Sequence, residues 1–185
     1  TKRASGALLA GQTVRYWSAW PVAGEAPAGV ERAGTPEAAD FALTLTPEGG
    51  ALHLVPPIGV LGVGCRRGTR AERLEEACSA FCASSGLSPA AVSAAASIDL
   101  KKEEPGLAQF CEAHGWPITF YSADQLRAVP GQFTPSAFVA GVTGVDNVCE
   151  RAAAKASGGA LLLPKTAGGG VTLALAVRPF APDWR

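Results

Sequence analysis

Small and cationic side chains follow an apolar run of the sequence, in the segment Gly64-Cys65-Arg66-Arg67-Gly68-Thr69. Arginine presents planar, bidentate donors that suit carboxylates and phosphates. A helix-like pattern comes next, and the free N–H groups and positive dipole at the start of a helix favour the same anions. The segment therefore predicts an anion-binding loop. The alternative is that the glycines make a tight turn and that the arginines are solvated surface.

An acid, a base and a second acid lie within one later loop, as Asp99, Lys101 and Glu104. This set of groups suits proton transfer to and from a bound ligand. The alternative is a loop that leads into a helix, in which the acidic residues favour the helix dipole and form charge pairs. Asp99 directly follows a predicted buried strand, so we expect it to take part in the site.

Serine and lysine side chains at other strand ends extend the predicted site. Lys165 lies between a strand end and a glycine-rich turn, where backbone and lysine could approach a ligand; an ordinary hairpin tip is the alternative. The residues that we expect to bind the ligand are Gly64, Cys65, Arg66, Arg67, Gly68, Thr69, Ser97, Ser122 and Lys165.

The thiol of Cys65 stands beside two arginines and near a predicted helix start. That environment predicts a lowered pKa and nucleophilic character. No histidine is placed by the sequence to assist it, so a small packing residue is the alternative. No metal site is predicted, because the other candidate ligands fall on apolar helix faces and are expected to pack in the core; these are Cys78, Cys82, Cys111 and His114.

The elements that position these residues alternate between strand and helix. Apolar runs at 58–63, 94–98 and 118–121 are typical of buried parallel strands. Runs at 160–163 and 171–177 are joined by a short loop, residues 165–170, which predicts an antiparallel hairpin. We expect an α/β fold, a three-layer and mostly parallel sheet with an antiparallel edge hairpin. Ligands bind beyond the carboxyl ends of the strands in such sheets, where the polar segments lie.

Several helix starts can be read from the same sequence. Thr69 with Glu72 and Ser122 with Gln125 are capping-box patterns. Pro105 suits the first position of a helix. A further helix is expected after Asp146, ending near residue 156.

The first 56 residues differ from the rest, because they contain no long helical pattern. Short strands are predicted at 13–17, 40–46 and 51–55, the last two joined by a turn-like Pro-Glu-Gly-Gly. We therefore expect a small β-rich segment, 1–56, and an α/β domain, 57–185, with Pro56-Pro57 at the boundary.

The composition excludes several classes of protein. Sixteen basic residues balance 16 acidic ones, which argues against nucleic acid or a membrane surface as a partner. No apolar run approaches the roughly 20 residues of a bilayer span. The five cysteines are an odd number and suggest free thiols in a reducing cytoplasm. The chain contains no Met, so we expect it to be processed or a piece of a longer protein.

A nucleotide-binding protein is an alternative, because Gly62-x-Gly64-x-x-x-Gly68 resembles a variant dinucleotide fingerprint. An acidic residue for the ribose is expected about 20 residues later. Asp99 ends the next strand, but the gap is longer and holds an extra short helix.

Successive blocks of the sequence resemble the C-terminal domain of the cobalamin-biosynthesis family CbiG. The resemblance covers about residues 58–178, and the strands before residue 56 resemble the family's middle region less closely. A shorter relative, the CobE-type protein, is similar to the C-terminal domain alone. The blocks are GVGCRRGT, SIDLKKEEPGL, ITFYSADQL, GVDNVCERAAA, LLLPK and GGGVTLALA.

The resemblance implies the activity of a cobalt-precorrin-5A hydrolase. In that reaction water opens a lactone of a cobalt-containing tetrapyrrole and acetaldehyde leaves, which gives cobalt-precorrin-5B. Cobalt arrives within the substrate, so no cofactor is implied. The implied partners are the tetrapyrrole, the family's further N-terminal domain and other corrin-pathway enzymes. A non-catalytic tetrapyrrole-binding or handover module, as for the CobE type, is the alternative.

Within that reaction, our hypothesis assigns roles to the residues already named. Arg66, Arg67 and the helix start at Thr69 would hold substrate carboxylates. Asp99 or Glu104 would act as the general base. Negative charge would be stabilised by Lys101 and Lys165, and Ser122 would donate a hydrogen bond.

Overall fold

The computed structural model describes residues 2–135 and 147–185. Contacts between Cα atoms divide the chain into two units. The first comprises Thr1–Pro56, Gly86–Ala91 and Phe180–Arg185, and the second comprises Pro57–Ser85 and Val92–Pro179. Two short segments from beyond Pro56 thus belong to the first unit. None of the helices in the described ranges is long and apolar enough to span a bilayer.

The first unit contains one α-helix and a four-stranded sheet in the order β2-β1-β3-β4, in which every pairing is parallel. Its elements are α1 (Lys2–Leu9), β1 (Val14–Ser18), β2 (Val30–Arg32), β3 (Phe41–Leu43) and β4 (Leu52–Leu54). The sequence reading missed α1 and β2. Although the connection between β3 and β4 is turn-like, the strands pair in parallel, with Phe41 opposite Leu52. The chain leaves the sheet after β3, where Thr44 and Leu45 become buried.

A five-stranded mixed sheet forms the second unit, in the order β7-β6-β5-β9-β8. Its strands are β5 (Gly59–Cys65), β6 (Val92–Ile98), β7 (Ile118–Tyr121), β8 (Ala160–Gly168) and β9 (Val171–Val177). β5, β6 and β7 are parallel, and β9 runs antiparallel to both β5 and β8. The predicted parallel sheet with an antiparallel edge hairpin is confirmed.

Helices cover both faces of this sheet. They are α2 (Ala71–Ser85), α3 (Pro105–Ala113), the short α4 (Ala123–Arg127) and α5 (Val148–Ser157). Val171 and Leu173 of β9 face α2, whereas Thr172 between them interacts with Cys149 of α5. Successive side chains of a strand point to opposite faces, so α2 and α5 lie on opposite sides. The three-layer arrangement follows.

Helix α5 lies very close to β5 at Gly62. A Cβ atom at Gly62 would collide with the carbonyl oxygen of Cys149 and lie 3.0 Å from Cβ of Ala153. Ala152 and Ala153 are fully buried in the same contact. Small residues on both elements therefore set the distance between helix and sheet.

The helix starts differ in how well the sequence predicts them. Ser122 forms the predicted capping box with Gln125, and α3 begins at Pro105 as expected. Helix α2 begins only at Ala71, and the Thr69 hydroxyl donates a 2.8 Å hydrogen bond back to a loop carbonyl. Asn147 caps α5, since its side chain accepts the N–H of residue 150; Asp146 lies outside the described residues.

The edge hairpin turns more tightly than predicted. β8 continues to Gly168, so the turn consists of Gly169 and Gly170 alone, with φ of +58° and +83°. Positive φ at both central residues is the geometry of a type I′ turn, which glycine adopts without strain. Lys165, expected in a loop, lies within strand β8.

Candidate functional site

The loops that follow β5, β6 and β7 lie at one edge of the sheet, because these three strands are adjacent and parallel. The loop after β5 carries Arg66 and Arg67, and the loop after β6 carries Asp99 and Lys101. Ser122 follows β7. The expected convergence of these segments at the carboxyl edge is thus observed.

Glu104 joins the first two loops. Its carboxylate accepts the N–H of Gly68 at 2.7 Å through Oε2 and the Lys101 ammonium at 3.0 Å through Oε1. The residue is only 8% exposed. The Gly68 hydrogen bond lowers the pKa of Glu104 and, with help from Lys101 and Arg67, outweighs the opposing effect of burial. Glu104 is therefore an ionised side chain that links the two loops through hydrogen bonds.

This geometry changes the role expected for Glu104. A general base must accept a proton near neutral pH, and the lowered pKa of Glu104 opposes that. Both of its oxygens already have donors. The Lys101 side chain, 18% exposed, is correspondingly committed to this ion pair. We therefore assign Glu104 and Lys101 to the support of the loops.

Asp99 and the two arginines remain accessible. Asp99 begins a 3-10 turn, Asp99–Lys101, and is exposed at the end of β6. Arg66 donates its backbone N–H to Gly170 at 3.0 Å, while its side chain and that of Arg67 are exposed. Neither guanidinium forms a salt bridge within the described part of the chain. These are two cations and one carboxylate that a ligand can reach.

The expectation of a lowered pKa for the Cys65 thiol is wrong. Burial raises the pKa of its thiol; Lys101 opposes that rise and the Glu104 carboxylate adds to it. A lowered pKa was expected from the arginines and the helix start, but α2 begins beyond the loop and both arginine side chains are exposed to water. Cys65 is a half-buried neutral thiol.

Two other predicted residues act within the structure. Ser97 is fully buried and donates to the carbonyl of Val63 at 2.7 Å, so its side chain bridges strands and does not face the site. Gly64 makes room for Thr172, whose hydroxyl donates to the Gly64 carbonyl at 3.4 Å. Gly62 and Gly64 of the pattern that resembles a dinucleotide fingerprint therefore have packing roles, whereas Gly68 has a positive φ of +71° and no atom within 4 Å of an added Cβ.

Ser122 and Thr69 are half-buried at the same edge. The Ser122 hydroxyl accepts the N–H of Gln125 at 3.2 Å, which leaves its own proton for another acceptor. The Thr69 hydroxyl donates to the carbonyl of Arg66, so it shapes the arginine loop.

The sequence reading missed a buried carboxylate, Glu150 of α5. It is fully buried and accepts three hydrogen bonds: 2.8 Å from the N–H of Thr134, 2.8 Å from the Thr134 hydroxyl and 2.6 Å from the N–H of Lys165. Burial raises the pKa of Glu150, but the hydrogen bonds from Thr134 and Lys165 outweigh that effect, so the net pKa is lowered. Asn147-x-x-Glu150 fits a capping pattern, which signals the helix start, but the pattern does not show the distant partners of the Glu150 carboxylate.

Lys165 therefore has a fixed backbone position. Its N–H group is held by Glu150, and its side chain is half-buried on β8. The ammonium acts electrostatically on Cys149, on the α5 side of the sheet.

The predicted cysteine packing is confirmed, since Cys78, Cys82 and Cys111 are buried free thiols. His114 is stacked on Trp116 at 4.1 Å and lies 2.6 Å from Glu75. In the two described ranges, no group of three or more His, Cys, Asp or Glu residues could hold a metal ion.

A groove of about 280 Å³ lies between α2 and the β8–β9 hairpin. Apolar and small side chains dominate its walls. Its lining residues are Arg73, Glu76, Ala77, Ala80, Phe81, Ser84, Thr166, Ala167, Gly168, Val171 and Leu173. None of the residues predicted from the sequence lines it.

Comparison with known proteins places the second unit in a biosynthetic context. The family described as "Cobalamin synthesis G C-terminus" matches residues 59–176. A cobalt-precorrin-5A hydrolase of Priestia megaterium is 36% identical over 134 residues, which is 72% of this chain and 35% of that protein. The chain thus spans about a third of the length of this curated relative.

Two crystal structures are similar. CobE, a protein from the cobalamin (vitamin B12) biosynthetic pathway, has a TM-score of 0.59 and 35% identity; the match covers 66% of this chain and 92% of CobE. A putative cobalamin biosynthesis protein G homolog from Sulfolobus solfataricus has a TM-score of 0.55 over 96% of this chain and 54% of that one. At 16% identity, the latter shows a shared fold.

Proposed function

Because this chain belongs to the "Cobalamin synthesis G C-terminus" family, we propose that it acts in cobalamin biosynthesis on a cobalt-containing tetrapyrrole. The substrate class is a large, flat macrocycle with several carboxylates. One observation carries the proposal: the family match includes the strand edge where Arg66 and Arg67 are exposed after β5 and Asp99 is exposed after the adjacent β6. Guanidinium groups are well suited to several carboxylates at once.

The proposed reaction is the hydrolysis of cobalt-precorrin-5A, the activity named for the Priestia megaterium relative. Water adds to the lactone carbonyl and the acyl–oxygen bond breaks, which leaves a carboxylate and a hydroxyl group. The hydroxyl then loses its proton as the carbon–carbon bond breaks, so acetaldehyde leaves and the bonding electron pair is protonated on the macrocycle. Both steps need a group that takes up and returns a proton.

Asp99 suits that proton-transfer role better than Glu104 does. It is the exposed carboxylate, while Glu104 is held by two donors with a lowered pKa. Arg66 and Arg67 would bind substrate carboxylates and the oxyanion that forms at the lactone. Ser122 would donate its free proton to the substrate, and Lys165 would add positive charge nearby.

A second candidate function is binding and handover of the tetrapyrrole without catalysis. The observation that favours it is the CobE match, in which 92% of a separate, shorter protein corresponds to this chain. The same edge of the sheet would bind the same ligand. We place either function in the cytoplasm, a proposal supported by five cysteines that are all free thiols.

Incubation of the chain with cobalt-precorrin-5A and measurement of acetaldehyde separates the two functions. The hydrolase proposal expects acetaldehyde in proportion to substrate consumed. Binding without acetaldehyde would leave the handover function and exclude the autonomous enzyme. Absence of both binding and turnover would reject both candidates.

A further inference from the structure

Two arginines lie against the tip of the β8–β9 hairpin. A Cβ atom at Gly170 would lie 2.9 Å from Cδ of Arg66, and one at Gly169 would collide with the guanidinium of Arg73. The turn requires the glycines for their positive φ, and the two arginine side chains pack against it. Because Gly169 and Gly170 are consecutive, the two cationic side chains are neighbours.

The groove between α2 and the hairpin begins beside this tip. Arg73 of α2 and Gly168 of β8 line it at the arginine end. Phe81, Val171 and Leu173 supply apolar surface, and small residues along α2 keep the groove open. Its volume of about 280 Å³ suits an arm or one ring of a large ligand rather than a whole macrocycle.

We propose that this groove is a binding subsite for an apolar, carboxylate-bearing edge of the tetrapyrrole, whose carboxylate binds Arg73 and Arg66. This inference rests on the function proposed above and extends its anion site from the arginine loop across the hairpin. The apolar walls suit the ring edge, and Arg73 in the lining together with Arg66 at the adjacent hairpin tip suits its carboxylate.

The charges at the tip are available to a ligand. Arg66 forms no salt bridge within the described residues. Arg73 pairs with Glu76 at 2.7 Å, but both side chains are largely exposed, at 46% and 65%. Exposed pairs of this kind contribute little, so a ligand carboxylate can replace Glu76.

Binding of uroporphyrin, a polycarboxylic tetrapyrrole, to the whole chain tests the subsite by porphyrin fluorescence. Arg73→Ala should weaken binding by roughly tenfold, because a charge-assisted contact is lost. Ala80→Phe should also weaken binding, because it fills the groove and leaves both arginines in place. Ala83→Phe is the matched control, since Ala83 is exposed on the same helix and does not line the groove; it should bind normally.

Gly169→Ala should weaken binding less than Arg73→Ala does, because the added Cβ shifts the guanidinium of Arg73 without removing its charge. Its control is Gly158→Ala, which has a similar φ of +63° with no atom within 4 Å, and so introduces backbone strain without the collision. Thermal melting verifies that each variant is folded.

The outcomes separate the subsite from the proposed function. Normal binding by Arg73→Ala and Ala80→Phe, with weakened binding by Arg66→Ala, would overturn the subsite and leave the arginine loop as the binding site. Failure of the unaltered chain to bind the porphyrin would reject tetrapyrrole binding and the subsite together.

Discussion

At the scale of single residues, two carboxylates near the strand edge have opposite environments. Glu104 is buried and bonded to Gly68 and Lys101, whereas Asp99 is exposed. The first is ionised, with a lowered pKa, and links the loops; the second is accessible to a ligand. Sequence alone could not separate them, because they lie in one short polar loop.

Asp99→Asn should reduce acetaldehyde release from cobalt-precorrin-5A by about a hundredfold or more, because it removes the base and keeps the shape of the side chain. Tetrapyrrole binding should change little. Glu103→Gln is the control, since Glu103 is a neighbouring exposed acid that we place outside the site. Equal turnover in the Asp99 variant and the control would remove Asp99 from the mechanism.

Glu150 makes stability depend on acidity. Its pKa in the folded chain is lowered, so its stabilisation is complete above the pKa of an unfolded glutamate and is lost as the pH falls through the folded value. We expect Glu150→Gln to lower the free energy of unfolding by about 2 kcal/mol at pH 7, since a buried amide cannot accept all three bonds. That cost should shrink below about pH 4.

Urea denaturation of both chains at pH 7 and at low pH measures this difference. The control is Glu112→Gln, an exposed acid on α3, which should cost little at either pH. A cost for Glu150→Gln that stays constant with pH would contradict an ionised Glu150.

Some site residues could be predicted from the sequence and others could not, for physical reasons. The arginines and Asp99 follow apolar runs, and parallel strands bring such ends together. The raised pKa of Cys65 depends on burial by residues distant in the chain. The partners of Glu150 lie 15 and 16 residues away, so no local pattern shows that its carboxylate is satisfied.

At the scale of elements, the contact between α5 and β5 depends on a glycine. The sequence predicts β5, β6 and β7 as strands of a parallel sheet, because apolar runs alternate with helical patterns, but it does not give their order. It does not show that Gly62 is needed for the approach of α5 rather than for a phosphate. The three-residue strands of the first unit, β2, β3 and β4, are less predictable, because so few residues show little alternation of apolar and polar side chains.

Gly62→Ala should destabilise the second unit by about 1–3 kcal/mol, because the new methyl group collides with the Cys149 carbonyl and the helix must shift. Gly168→Ala is the control, since no atom lies within 4 Å of its added Cβ. Chemical denaturation compares the two. Equal stability of the two variants would show that α5 can move away from the sheet without a loss of stability.

At the scale of the whole molecule, the end of the described chain belongs to the first unit. Ala23 forms a parallel bridge with Asp183, and the ring of Trp184 packs edge-on against Tyr16 at 4.8 Å. Phe180 packs against Trp20 at 5.1 Å. The division of the sequence at Pro56-Pro57 stays a prediction about folding domains, whereas these contacts show which segments each unit uses.

Removal of residues 180–185 should weaken the first unit, because Tyr16 and Trp20 lose aromatic partners. The second unit should keep its stability. Hydrogen exchange of amides in β1 and in β5 reports on the two units separately, and removal of Arg185 alone is the control. Faster exchange in both strands would contradict the independent role assigned to the tail.

The division of the chain into units also sets an order for its synthesis. Strands β1 to β4 leave the ribosome before the strands of the second unit, but the first unit also needs Gly86–Ala91 and the segment that contains Trp184. All strands and helices of the second unit have emerged by Pro179. The described strands of the first unit are therefore made before those of the second unit, but they gain their contacts with the segment around Trp184 only after the second unit has emerged.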